Sequence, residues 1–134
     1  MKKKLIILKI MALSLISSTT FASVDISVKP NNVTAFVGNY VGTFADYKVN
    51  ITNTSAATQS YTYYASFCPA NNKCETQTQS FKLISSDTFN KSFRLGTMVK
   101  YNQPKVFESK ATIKVSGYEN MEKQAIGTVT VYQR

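Results

Sequence analysis

The chain has 134 residues, 43% hydrophobic and 17% charged, with 16 Lys and Arg against 7 Asp and Glu. That content suits one small domain and leaves no room for a second. His and Trp are both absent, which excludes His-based triads, His–Cys dyads and most catalytic zinc sites before any motif is sought.

Residues 1–22 read MKKKLIILKIMALSLISSTTFA. Lys2, Lys3 and Lys4 form a basic start, and Leu5 to Ile16 is apolar apart from Lys9. Thr20-Phe21-Ala22 then sets small residues at the third and first positions before a cleavage point ahead of Ser23. This is the pattern of a secretory signal peptide. The alternative, a membrane anchor, needs ~20 apolar residues, and the unbroken run from Ile10 to Ile16 is far shorter. No Cys follows the cleavage point, which argues against a lipoprotein. The expected organisation is a signal over 1–22 and one domain over 23–134, periplasmic or extracellular, with no transmembrane anchor left after cleavage. The basic start and small-residue site suit a bacterial envelope.

Removing the signal leaves twelve Lys and Arg against seven acids, a net charge of +5 rather than +9. Residues 82–114 carry that whole excess through Lys82, Lys91, Arg94, Lys100, Lys105, Lys110 and Lys114, against Asp87 and Glu108. Such a stretch attracts anionic partners, and it equally serves as a solvated face that keeps a protein soluble.

The dominant period from Ser23 onward is two, the period of a half-buried strand. Val24, Ile26 and Val28 alternate with polar residues until Pro30-Asn31-Asn32 breaks the run. Val33, Ala35 and Val37 resume it up to Gly38, and Asn39 to Phe44 reads as a loop. Tyr47, Val49 and Ile51 form the clearest strand, with Lys48 on the wet side and Asn53-Thr54-Ser55 as its terminal turn. Tyr61, Tyr63, Ala65 and Phe67 share a face, with Tyr64 opposite.

Cys68 and Cys74 follow, enclosing Pro-Ala-Asn-Asn-Lys, a turn-forming run. Two Cys this close in a loop of an exported chain are expected to pair as a structural staple. A redox dithiol is the alternative, but that reads Cys-x-x-Cys at a helix start.

Past Cys74 the pattern loosens. Phe81 to Ile84 and Phe89 to Leu95 read as short strands, and Thr97 to Tyr101 as another before Asn102-Gln103-Pro104. Phe107, Ala111, Ile113 and Val115 face inward, with Glu108, Lys110, Thr112 and Lys114 outward. A polar loop precedes a last strand with Val129 and Val131. No segment after the signal holds helical spacing over ten residues. Seven to nine short strands with frequent turns predict an all-β, antiparallel immunoglobulin-like sandwich, with a closed barrel as the alternative.

Two stretches resemble known families. Val28 to Ser55 runs Val-Lys-Pro, a Gly-containing turn, then Tyr-Lys-Val-Asn-Ile-Thr-Asn-Thr-Ser. It resembles the opening strands of bacterial immunoglobulin-like envelope domains, a domain type with which periplasmic pilus chaperones also begin. The chaperones' second domain is lacking, so their function is not implied. Gly127-Thr-Val-Thr-Val-Tyr-Gln133 resembles the closing strand of chaperone–usher pilin subunits. That resemblance implies a fimbrial alternative, with Val24, Ile26 and Val28 donated to a neighbouring subunit by strand addition and the chain self-assembling.

Catalytic chemistry is sparse. The acids are scattered singly, and no nucleophile elbow, phosphate loop or calcium loop is present. No catalysis, cofactor or metal is expected. Tyr47, Tyr61, Tyr63, Phe67, Phe93 and Phe107 fall on core parity. Tyr40, Tyr64, Tyr101 and Tyr118 fall on loops or opposite faces, where Tyr offers contact area with a polar handle. Basic and aromatic residues interleave at Lys100-Tyr101, Lys105 and Phe107. An exported protein seldom meets nucleic acid, so that composition is not taken as a nucleic-acid site. Four Asn-x-Ser/Thr acceptors, starting at Asn32, Asn50, Asn53 and Asn90, are read as chance in an Asn- and Thr-rich chain. The functional expectation is a non-catalytic envelope domain binding another envelope protein or an anionic surface polymer such as lipopolysaccharide. Its candidate binding residues are Tyr64, Tyr101, Lys105, Lys110 and Lys114.

Overall fold

The structure, a computed structural model, describes residues 22–70 and 72–134. The signal reading falls on residues 1–21, outside the described residues, and on Ala22, whose backbone opens the first strand. Eight strands follow: β1 (Ala22–Pro30), β2 (Val33–Phe36), β3 (Tyr40–Asn53), β4 (Gln59–Cys68), β5 (Glu75–Leu83), β6 (Thr88–Lys100), β7 (Val106–Gly117) and β8 (Met121–Tyr132). They form a three-stranded sheet in the order β1-β3-β6 and a five-stranded sheet in the order β2-β8-β7-β4-β5. The chain crosses between sheets after β1, β2, β3, β5 and β6. This is an immunoglobulin-like sandwich, open at both edges of each sheet, rather than a closed barrel. Every pair is antiparallel except β2 with β8, which run parallel over four residues.

The parity read from the sequence places the main core. Tyr47, Val49 and Ile51 of β3, Tyr61, Tyr63, Ala65 and Phe67 of β4, and Ala111, Ile113 and Val115 of β7 are buried together. Lys48 is exposed between them. A second buried cluster holds Ala35, Val99, Tyr101, Phe107, Val129 and Val131 at one end of the sandwich. Rings account for much of the contact: Tyr47 stacks on Phe93 at 5.0 Å, and Phe81 on Phe89 at 3.9 Å. Buried aromatic and aliphatic side chains of this size each stabilise by roughly 1.5–3 kcal/mol.

Pro30-Asn31-Asn32 is the junction that moves the first run of the chain from one sheet to the other. Pro30 cannot donate to a ladder, which favours a strand end there. The Asn31 side chain then binds β3, donating from Nδ2 to the Gly42 carbonyl at 2.9 Å and accepting from the Phe44 amide at 3.1 Å. The Asn32 side chain instead accepts from the Thr128 amide on β8 at 2.9 Å. Adjacent amides thus tie one turn to both sheets. Gly127 leaves room for it, since a Cβ there would lie 2.6 Å from the Asn31 carbonyl oxygen.

Four expectations change. Of Asn39 to Phe44, expected as a loop, Tyr40 to Phe44 is strand, because pairing with β6 supplies a full ladder opposite Gly96 to Lys100. Phe89–Leu95 and Thr97–Tyr101 are not two strands: Thr88 to Lys100 is one. The polar run after Cys74 is strand from Glu75 onward. Val24, Ile26 and Val28 are not a free donor segment. β1 pairs with β3 from Ala22 to Pro30 within its own sheet, and Ile26 is fully buried there.

Candidate functional site

The strand pleat sends every second side chain of β4 and β7 to the outer face of the five-stranded sheet. Tyr64 and Lys114 are direct register partners, and Cys68 pairs with Lys110. Lys110 and Lys114 are exposed, and Tyr64 is 40% exposed. Ser66 and Thr112 fill the positions between them, and Thr62 and Ser116 are the next pair beyond Tyr64 and Lys114. The ion pair among the described residues is Arg94–Asp46, so neither lysine is neutralised by one. Glu122 lies across from Lys114 in the register with β8, and Ile126 across from Lys110. Towards β2 the same face turns apolar, through exposed Val106, Phe36 and Tyr132, the last two with rings 6.2 Å apart. Three of the five candidate residues, Tyr64, Lys110 and Lys114, therefore share one broad surface.

Tyr101 and Lys105 are not on it. Tyr101 was expected to be exposed and is 3% exposed. It shares the parity of Val99, continues the inner face past the end of β6, and packs on Phe107 with ring centroids 4.5 Å apart. Burial raises its phenol above the ordinary pKa. Lys105 was expected to extend the outer face. Instead its ammonium lies 5.1 Å from the centre of the inward-facing Phe107 ring. Backbone bonds hold this segment over the sandwich end: the Gly38 amide donates to the Tyr101 carbonyl, and the Val131 amide to the Lys105 carbonyl. The two residues line a cleft of about 520 Å³ with Ala70, Val99, Lys100, Asn102, Gln103 and Phe107. The basic–aromatic interleaving of the sequence thus becomes one site, while Asn102 and Gln103, read only as a strand terminator, are part of its wall.

The positive stretch 82–114 is consequently not one patch. Arg94 is held by Asp46 in a two-point ion pair, with 2.7 Å from Nε to Oδ1 and 3.2 Å from Nη2 to Oδ2. That bonding raises its pKa further. Lys91 turns to the gap between β5 and β6, donating to Gln79 at 3.1 Å. Lys105 lines the end cleft, the Lys100 ammonium lies 5.6 Å from the centre of the exposed Tyr40 ring, and Lys110 and Lys114 stand on the outer sheet face. The positive charge of the stretch is therefore dispersed over separate faces of the fold.

The Cys68–Cys74 disulfide is present and closes the turn between β4 and β5. Ala70, inside that turn, reaches the cleft. Among the described residues, no group of three or more His, Cys, Asp or Glu is placed to hold a metal ion. No helix among them is long and apolar enough to cross a membrane.

No family model matches the chain. No curated protein matches it either. Solved structures with a similar layout include the CARDB domain of a Pyrococcus furiosus protein in complex with di-metal ions. It is 16% identical, with 85% of this chain and 96% of that one covered and a TM-score of 0.38. A FixG-related protein from Vibrio parahaemolyticus is 12% identical, with 78% and 94% covered and a TM-score of 0.44. The alkylpurine DNA glycosylase AlkC from Pseudomonas fluorescens is 10% identical, with 83% of this chain and 31% of that one covered and a TM-score of 0.45.

Proposed function

We propose that this chain is an exported, non-catalytic immunoglobulin-like domain that binds an anionic polymer of the bacterial cell envelope through the outer face of its five-stranded sheet. The observation that carries the reading is the β4–β7 register, which sets Tyr64 beside Lys114 and leaves Lys110 and Lys114 exposed on the same face. Export rests on the basic, apolar and small-residue pattern of residues 1–22. A disulfide in so small a domain supports an oxidising compartment. A flat face with a polar-tipped aromatic and two cations suits a repeating polymer better than a small ligand.

The test is a titration of wild type and the double variant Lys110→Glu, Lys114→Glu against lipopolysaccharide at two salt concentrations. The double variant is expected to bind about tenfold more weakly at low salt. The gap should narrow as salt rises, because exposed charges are screened beyond ~8 Å at physiological ionic strength. Equal affinities for the two proteins at both concentrations would reduce the face to a solubility feature.

A further inference from the structure

The two ends of the sandwich differ in charge. One end holds turns 37–39, 69–74 and 101–105, with Tyr40 paired to Lys100 and Phe36 to Tyr132 where the strands finish. Those turns carry Lys73 and Lys105 and no acid, and Lys100 adds a third cation at the last position of β6. All three lysines are exposed. The other end holds turns 54–58, 84–87 and 118–120, which carry Asp87 and Glu119 and no Lys or Arg. The acids close to the cationic end are Glu75, which accepts from the Gly96 amide at 2.9 Å, and Glu108, one outward position behind Val106 on β7.

The ends differ as much in apolar exposure. Among the described residues seven large hydrophobic side chains are more than half exposed. Five of them, Phe36, Tyr40, Met98, Val106 and Tyr132, ring the cationic end, whereas Ile84 stands at the acidic end and Ile126 on the outer sheet face. Phe36, Tyr132 and Val106 lie on the five-stranded side, and Tyr40 and Met98 on the three-stranded side. The segments that carry them are fixed. The Val37 amide donates to the Tyr132 carbonyl and the Gly38 amide to the Tyr101 carbonyl, both at 2.9 Å, and Arg134 Nη1 donates to Asn39 Oδ1 at 2.8 Å. The Cys68–Cys74 disulfide closes the neighbouring turn. Exposure at this end is therefore a property of the strand ends, and clustered exposed apolar side chains mark an interaction surface.

The shape of the cluster decides what it fits. Two packed sheets stand about 10 Å apart, so these five side chains form a collar on both sides of the sandwich rather than one flat patch. A soft planar medium that admits apolar groups to a depth of about 5–10 Å meets such a collar all at once. Exposed Asn39, Asn102 and Gln103 on the turns beyond it are polar and uncharged, which suits a headgroup layer. Tyr40 and Tyr132 each offer an apolar ring with a polar tip, the combination favoured at a lipid–water boundary. The lysines select for negative headgroups.

We propose that this end of the sandwich docks on an anionic lipid bilayer surface, with Lys73, Lys100 and Lys105 among the headgroups and the apolar collar at the boundary with the acyl chains. The surface is separate from the outer sheet face, and the proposal does not rest on the polymer reading.

The test is co-sedimentation of the protein with vesicles of phosphatidylcholine containing about a quarter phosphatidylglycerol, against vesicles of phosphatidylcholine alone. Binding to the anionic vesicles is expected to be at least about tenfold stronger, and to weaken at about 0.5 M salt. Lys100→Glu with Lys105→Glu should reduce it about tenfold or more. Lys110→Glu with Lys114→Glu makes the same change in net charge. Lys110 lies four residues, about 13 Å, behind Val106, beyond the screening length of about 10 Å at 0.1 M salt, so this pair should cost no more than about threefold. Tyr40→Ser with Met98→Ser keeps the charge and should also cost about tenfold. Both residues are exposed, so thermal melts should match wild type and separate lost docking from lost folding. Equal binding to both vesicle types, or equal loss from the two lysine pairs, would overturn the proposal. So would a concentration-dependent dimer, abolished by Tyr40→Ser with Met98→Ser, in a protein that binds neither vesicle, because a second copy would then cover this end. The vesicles carry no polysaccharide, so failure here leaves the outer-face reading to its own titration.

Discussion

The two ends of β3 treat a buried polar side chain in opposite ways. At one end Asn53, fully buried, uses its whole hydrogen-bonding capacity. Its Nδ2 donates to the Ala57 and Leu83 carbonyls at 2.9 and 2.8 Å, and its Oδ1 accepts from the Ser55 amide and hydroxyl at 3.0 and 2.8 Å. Its backbone also bonds Asp87 and Ser86. One residue thus ties the end of β3 to the turn before β4, the end of β5 and the turn before β6. At the other end, beyond the pairing of Tyr40 with Lys100, Tyr101 is equally buried and its hydroxyl is bonded to nothing among the described residues. The first arrangement holds the fold. The second carries a desolvation cost that nothing among the described residues offsets.

Asn53→Ala should therefore be the most damaging small substitution. It removes four bonds and takes a partner from the carbonyl of buried Leu83 and from the Ser55 amide. A loss of roughly 3 kcal/mol or more in unfolding free energy is expected from denaturant titration. A cost under about 1 kcal/mol would show that the tie is replaceable.

The next effect belongs to the cleft end. The Cys68–Cys74 ring is short, and replacing both with Ser should cost about 2 kcal/mol on the loop-entropy argument. Amide hydrogen exchange should then quicken around the turn between β4 and β5 and at Tyr101, and not around Asn53. Uniform quickening at both ends would mean that they are one cooperative unit.

Alkaline pH sharpens the same contrast more gently. Burial, with the charge of Glu75 adding to it, raises the Tyr47 phenol, which donates to the Ser66 carbonyl at 2.8 Å. Tyr61 and Tyr101 are raised as well, chiefly by burial. An acid whose pKa is higher folded than unfolded holds its proton in the folded state after the unfolded chain has lost it. Its contribution is complete below the unfolded value and is lost as pH rises through the folded one. Stability should be insensitive to these groups at neutral pH and fall above about pH 10, the ordinary phenol value. Tyr47→Phe should flatten that fall, as a series of thermal melts would register. An unchanged slope would place the alkaline sensitivity elsewhere.

These differences also mark what the sequence conveyed. Strict alternation exposes the core parity of β3, β4 and β7, because one face of each sheet meets water and the other does not. The outward parity of Tyr64, Lys110 and Lys114 was legible for the same reason, but not that β4 and β7 are neighbours, which is what brings the three together. Tyr101 was not, since the short strand read from Thr97 to Tyr101 was given no inward face and Tyr101 was counted among the residues on loops or opposite faces. Its shared parity with Leu95 and Val99 was the available signal. Lys105 was misplaced because parity across the Pro104 turn has no fixed phase, and the fold sets its ammonium over Phe107. The Ile-Thr-Asn-Thr-Ser run was visible as a strand end, but the role of Asn53 depends on Leu83, thirty residues away.

Two variants should barely move stability. Lys110→Glu with Lys114→Glu changes exposed residues and should shift unfolding free energy by no more than about 0.5 kcal/mol. A larger loss would mean that these lysines support the sheet face rather than stand free on it.

The smallest change tests the contrast between the two ends of β3 most directly. Tyr101→Phe deletes one oxygen and keeps the ring on Phe107. If that hydroxyl is held by nothing within the fold, urea unfolding of the variant should give a free energy equal to wild type or up to about 1 kcal/mol higher. A loss of about 1 kcal/mol or more would contradict the account, because the phenol would then be tied into the fold as Asn53 is.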